Sequence, residues 1–202
     1  MYPELIETVK TLEINSISEE RKKILKQLID FVQTKKNENL PVNLNFICTH
    51  NSRRSHLSQI WAQTMAANFN INNVFCYSGG TEATAMYQAV GKTLTKQGFE
   101  LNQLTENKNS IYAIKYSEDN HPIIAFSKTF DSVFNPKSNF AAIMTCSHAD
   151  ENCPFIAGAL QRIPVRYEDP KAFDNTPIQL EKYEERSFQI ATEMKYVFSK
   201  IR

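Results

Sequence analysis

The stretch VNLNFICTHNSRRSHLSQIW, residues 42–61, decides how the rest of the chain is read. VNLNFICT has the apolar density of a buried strand, and NSRRS has the polarity of a turn. Leu57, Trp61, Met65 and Phe69 then recur at helical spacing. A strand, a tight polar loop and a helix thus follow one another without a break. Within the loop stands Cys48-Thr49-His50-Asn51-Ser52-Arg53-Arg54-Ser55, a cysteine and an arginine separated by five residues and followed by serine. Each part suits the binding of a tetrahedral anion. A loop that wraps into a helix N-terminus presents backbone N–H groups and the positive end of the helix dipole. Arg54 adds a forked, bidentate donor that lysine cannot copy. The same field favours a thiolate at Cys48, the nucleophile. Ser55 is placed to hydrogen-bond that sulfur, and Asn51 tolerates a left-handed backbone.

Outward from the loop, the chain alternates strands and helices. NVFCYS (73–78) reads as a second strand running into Gly79-Gly80. Residues 82–97 read as a helix, with Met86, Val90 and Leu94 on one face and Gly98 as its stop. FAAIMTC (140–146) and IPVRY (163–167) read as the third and fourth strands. Thr176, Pro177 and Gln179 have the pattern of a helix start. The expectation is an α/β fold, a three-layer sandwich around a mostly parallel central sheet. Ligands bind at the carboxyl ends of such strands. Cys48 and Cys146 both fall there. Residues 1–40 read as an N-terminal helical extension, with Ser16 and Glu19 as its capping box, and 41–202 as the main domain. The stretch 105–138 breaks the alternation and reads as an inserted hairpin with strands at 111–116 and 122–127.

Composition narrows the function classes. The formal net charge is +1 over 202 residues. No global field therefore draws the chain to nucleic acid. No apolar run approaches the roughly 20 residues that span a bilayer, and the first residues lack the form of a secretory signal. The expected address is the cytoplasm, with neither nucleic acid nor membrane as partner. The four cysteines, Cys48, Cys76, Cys146 and Cys153, include no CxxC pair. They argue for catalytic, redox or core thiols over a metal site or a disulfide framework. Cys76, inside a strand, reads as core, and His56 and His148 read as surface residues.

The loop resembles that of the low-molecular-weight protein tyrosine phosphatase fold, which includes the thioredoxin-coupled arsenate reductases. The family pattern is C-x-G-N-x-C-R-S. This chain keeps Cys48, Asn51, Arg54 and Ser55, and has His50 for the glycine and Arg53 for the second cysteine. The resemblance covers roughly 42–200 without the insertion. It implies Asp169, of Glu168-Asp169-Pro170, as the general acid, with Glu168 as its near neighbour. It also implies a relay of thiols through Cys146 and Cys153, whose C-x6-C-P spacing matches the reductases. In some relatives Asn51 and Ser78 would help hold a structural monovalent cation, but the acidic member of that set is Gln59 here. Arsenate, phosphate or a phosphomonoester is the implied substrate. No tightly bound cofactor is implied, and thioredoxin or a similar thiol reductant is the co-substrate of a reductase. Lys171 stands where phosphatases place an aromatic residue after Asp-Pro. A phosphate-binding module without catalysis would keep the loop and need neither Asp169 nor the extra thiols. Tyr112, Tyr116 and Tyr167 read as core or as the lining of a cleft.

Overall fold

The computed structural model describes residues 1–153 and 155–202. The proline that closes the C-x6-C-P pattern, Pro154, lies outside them. The chain runs α1 (Pro3–Thr11), a short 3-10 turn, α2 (Glu19–Asn37), β1 (Val42–Cys48), α3 (Arg54–Asn68), β2 (Val74–Gly80) and α4 (Gln88–Lys96). It continues with β3 (Glu100–Gln103), β4 (Tyr112–Lys115), β5 (Ile123–Ala125), β6 (Phe140–Met144), α5 (Ser147–Asn152), β7 (Ala159–Pro164) and α6 (Gln179–Ser199).

The four strands β2-β1-β6-β7 form one parallel sheet. Its strands read as nearly unbroken apolar runs because both faces are covered. Leu44, Phe46, Ile143 and Ile163 join the large core that the helices close, with Trp61, Tyr183 and Phe198. Ile47, Phe140, Ala142 and Met144 on the other face lie under Ala149 of α5, Ile156 and Phe130. The sandwich expected from the alternation is therefore present. The parallel arrangement also puts Cys48, the last residue of β1, beside Thr145 and Cys146, which follow β6.

Several boundaries differ from the sequence reading. The cap of α2 is Ser18, whose Oγ accepts from the N–H of Arg21, and not Ser16 with Glu19. Residues 82–87 are not helical, and α4 starts only at Gln88. Backbone bonds to the loop between β1 and α3 hold part of this stretch extended, against its propensity. The fourth strand spans Ala159–Pro164 and ends before Val165-Arg166-Tyr167. The final helix starts at Gln179 with Ile178 as its cap, so Thr176 does not cap it. The expected hairpin in the insertion exists as β4 and β5, but a third strand, β3, pairs antiparallel with β4. β3 has no apolar pattern to reveal it, since its residues are mostly exposed. Gly98 ends α4 at φ +96, as a helix stop requires.

Residues 1–40 hold α1 and α2. Leu5, Val9, Leu25, Leu28 and Val32 belong to the same core as the sheet. Among the described residues no helix is long and apolar enough to cross a membrane.

Candidate active site

The loop between β1 and α3 is held from outside by its carbonyls. The carbonyl of Cys48 accepts from the N–H of Thr81 at 3.1 Å, that of Thr49 from Glu82 at 2.8 Å and that of Ser52 from Tyr87 at 3.0 Å. The carbonyl of His50 accepts from the hydroxyls of Ser127 at 2.9 Å and Thr84 at 3.1 Å. A trans peptide points its N–H away from its C=O. The N–H groups of Thr49, His50, Asn51 and Arg53 therefore turn to the other side of the loop. Among the described residues none of them meets an acceptor in the protein. Such a cup of free donors at the mouth of α3, fifteen residues long, has the form that suits an anion.

Cys48 is 4% exposed. Its sulfur lies 3.1 Å from Ser55 Oγ, and Ser55 Oγ in turn accepts from Asn51 Nδ2 at 2.8 Å. Asn51 has φ +43, the left-handed conformation expected of it, and its Oδ1 accepts from the N–H of Lys128 at 2.9 Å. His50, which replaces a glycine in the family pattern, is not among the positive-φ residues, so the loop's backbone does not need glycine there.

The two arginines of the loop part company. Arg54 donates to the carbonyl of Tyr167 at 2.9 Å and to Asp169 Oδ2 at 2.5 Å, and its buried Nε has no partner in the protein. Arg53 turns away from the cup. It donates to Tyr183 Oη and to Asp174, both at 2.5 Å, and stacks over the ring of Tyr87 at 4.3 Å. Arg53 belongs to the loop expected to bind the oxyanion, but its side chain does not turn into the cup. The acceptors of α6 and of the segment before it claim it, and only its N–H remains with the cup.

Cys146, 1% exposed, caps α5 and lies 3.5 Å from Thr49 Oγ1. A cleft of about 430 Å³ is lined by Arg54, Cys146, His148, Tyr167, Glu168 and Asp169, among others. Of the acidic pair, Asp169 meets Arg54, while Glu168 is exposed. Cys153, half-buried, sits at the far end of α5. Cys48, Cys146 and Cys153 all pack into the apolar cluster on the α5 face of the sheet. Asp150 anchors α5 by ion pairs to Arg162 and Arg166 of the following segment.

Behind the loop, His56 is fully buried rather than on the surface. Its Nδ1 lies 3.3 Å from Ser78 Oγ, and burial, with the nearby Lys128 charge, pushes its pKa down to about 3. Ser78 and Asn51 thus spend their polar atoms on protein partners, and Gln59 donates to the carbonyls of Cys76 and Ile124. Cys76 is core, as expected, and burial pushes its thiol up. Tyr167 combines both readings given for it. Its ring is buried, its hydroxyl donates to Glu193 at 2.7 Å, and its carbonyl orients Arg54. Arg21 of α2 holds Glu193 through two bonds of 2.8 and 2.7 Å, so the N-terminal segment reaches the back of the site. The sequence signalled neither this network nor the part played by Ser127 and Lys128. Their partners are remote in the chain.

No protein-family model matches the sequence, and no curated protein matches it. Solved structures share its fold. A low-molecular-weight phosphotyrosine phosphatase from Vibrio cholerae O395 is 12% identical, with 78% of this chain and 94% of that chain covered and a TM-score of 0.50. An arsenate reductase from Archaeoglobus fulgidus is 15% identical over 77% of this chain and 98% of its own, with a TM-score of 0.50. A low-molecular-weight protein tyrosine phosphatase from T. tengcongensis is 13% identical over 79% and 99%, also at 0.50. The chain thus has the fold of the low-molecular-weight protein tyrosine phosphatases, which an arsenate reductase also uses.

Proposed function

We propose that this chain is a cysteine-dependent oxyanion enzyme that reduces arsenate to arsenite through Cys48, Cys146 and Cys153. The observation that carries the reading is the position of Cys146. It is buried, it lines the same cleft as Arg54 and Asp169, and it shares an apolar cluster with the other two thiols.

The cup and Arg54 would hold arsenate while the Cys48 thiolate attacks arsenic and displaces a hydroxyl as water, forming a sulfur–arsenic bond. Asp169 would supply the proton for that departure. The Cys146 thiolate then attacks the Cys48 sulfur. The sulfur–arsenic bond breaks with its electron pair on arsenic, which leaves as arsenite, and a 48–146 disulfide remains. Cys153 attacks Cys146, frees the Cys48 thiolate and leaves a 146–153 disulfide for an external dithiol such as thioredoxin. Cys146 and Cys153 cap opposite ends of α5. At 1.5 Å per residue their Cα atoms are about 10 Å apart, beyond the roughly 7 Å that a disulfide spans. The last step therefore requires α5 to unwind: six residues make a helix that is marginal by itself, and the Asp150 pairs with Arg162 and Arg166 must release it.

The second reading is hydrolysis of a phosphomonoester through a phospho-cysteine. The pairing of Arg54 with Asp169 favours it, because that chemistry needs the cup, the arginine and the acid but no second thiol. Arsenite formation with a dithiol reductant, run beside hydrolysis of p-nitrophenyl phosphate, separates the two. Arsenite formation that depends on the reductant supports the relay, and hydrolysis without arsenite formation supports the phosphatase.

A further inference from the structure

The insertion 105–138 returns at its far end to the oxyanion loop. Ser127, 1% exposed, stands between that loop and the segment after β2. Its hydroxyl donates to the carbonyl of His50 at 2.9 Å and accepts from the N–H of Thr84 at 2.7 Å. Ser127 is itself clamped by one side chain. Its N–H donates to Asn109 Oδ1 at 3.0 Å, and its carbonyl accepts from Asn109 Nδ2 at 2.7 Å. The next residue, Lys128, gives its N–H to Asn51 Oδ1. Its carbonyl takes the N–H of Gly80, and the N–H of Phe130 goes to the carbonyl of Gly80.

The His50–Asn51 peptide is the vulnerable one in the loop. Asn51 is left-handed at φ +43, a conformation asparagine tolerates better than most residues but that still lies above its extended and right-handed alternatives. With the carbonyl of His50 outside, the N–H of Asn51 faces the cup. A flipped peptide would instead put a carbonyl oxygen toward the anion, exchanging attraction for repulsion. Two hydroxyls oppose that flip. Thr84 is exposed, so water competes for its bond, whereas Ser127 is buried and doubly fixed.

We infer that Ser127 is a positioning residue of the oxyanion cup, and that Asn109 supports it, so the insertion is part of the active-site machinery. The inference rests on the cup's taking a tetrahedral oxyanion. The probe is inorganic phosphate. Its affinity is measured by calorimetry on wild type, Ser127→Ala and Asn109→Ala, with kcat and KM for p-nitrophenyl phosphate and the unfolding midpoint alongside. Both variants should bind phosphate about tenfold more weakly, the worth of one hydrogen bond to a preorganised group. KM should rise to match, at protein concentrations and temperatures where both are folded. Should Ser127→Ala not fold, Asn109→Ala alone decides. Phosphate affinity equal to wild type in the folded variants, whatever their midpoints, overturns the inference and leaves the functional reading standing. Wild type that binds no phosphate overturns both.

Discussion

The guanidinium of Arg54 lies 2.5 Å from a carboxylate oxygen of Asp169, so the candidate grip for the oxyanion is joined to the candidate acid. An oxyanion in the cup competes with Asp169 for that guanidinium. Asp169→Asn should therefore split binding from turnover. Removing one exposed-side ion pair is worth up to about 1 kcal/mol, so inorganic phosphate should bind as tightly as to wild type or up to about fivefold tighter. Phosphoester cleavage should slow by about 100-fold to 10,000-fold, the usual worth of a general acid. A leaving group that needs no proton should hide much of that loss. Glu168→Gln should change little, and a large effect there with none at Asp169 would move the acid by one residue.

Arg54→Lys and Arg53→Ala should fail in different ways. Arg54→Lys keeps the charge but loses the fork, so oxyanion affinity should drop by about ten- to a hundredfold with little change in the unfolding midpoint. Arg53→Ala leaves Asp174 with the Tyr183 hydroxyl but no counter-charge, where both side chains of the pair are only 12% and 14% exposed. That should destabilise the fold by about 3 kcal/mol, with a smaller effect on oxyanion affinity. Calorimetry and denaturant unfolding on both variants check the ranking, and the reverse order would mean that Arg53 serves the anion.

Lys128 is 5% exposed, and its ammonium lies over the rings of Phe126 at 4.4 Å and Phe134 at 5.2 Å. Burial pushes its pKa down from 10.5 to about 7. Between those values the unfolded chain holds a proton that the folded chain has released, so this residue makes stability rise with pH across that window. Below about pH 7 both states are protonated, and the full cost of burying the charge applies. Lys128→Met should therefore lessen the gain in unfolding free energy between pH 7 and pH 9. Equal gains in wild type and variant would show that the amine is not buried as described.

The strand, loop and helix at 42–61 were legible because each carries its own local signal: an apolar run, a polar turn with a left-handed asparagine, and a helical stripe. Cys48, Asn51, Arg54 and Ser55 stand there as that signal implies. What stayed hidden depends on distance in the chain. The carbonyl of His50 is fixed by Ser127, and the direction of Arg53 by Asp174 and Tyr183, none of which has a periodicity that points back to the loop. His56 looked like a surface residue because a polar side chain next to the serine and arginines of a turn usually is one. The fold buries it with Nδ1 beside Ser78 Oγ and Nε2 without a partner among the described residues. The stripe of Met86, Val90 and Leu94 extends the expected helix back to residue 82, yet Glu82 and Tyr87 spend their N–H groups on the loop after β1.

Cys48→Ser should abolish arsenate reduction and phosphoester hydrolysis alike, since a hydroxyl in this cup is a poor nucleophile. More than a small residue of either activity would remove Cys48 from its role.

The relay itself is tested by following the thiols. Cys146→Ser should stop arsenate turnover after the first adduct and leave phosphoester hydrolysis nearly intact, because water can release a phospho-cysteine. Cys153→Ser should complete one turnover and accumulate a 48–146 disulfide. The direct measurement is non-reducing peptide mapping of wild type after one equivalent of arsenate, with arsenite assayed in the same sample. The account predicts a 146–153 disulfide, a free Cys48 and one equivalent of arsenite. Free thiols at Cys146 and Cys153 with no arsenite formed would contradict it.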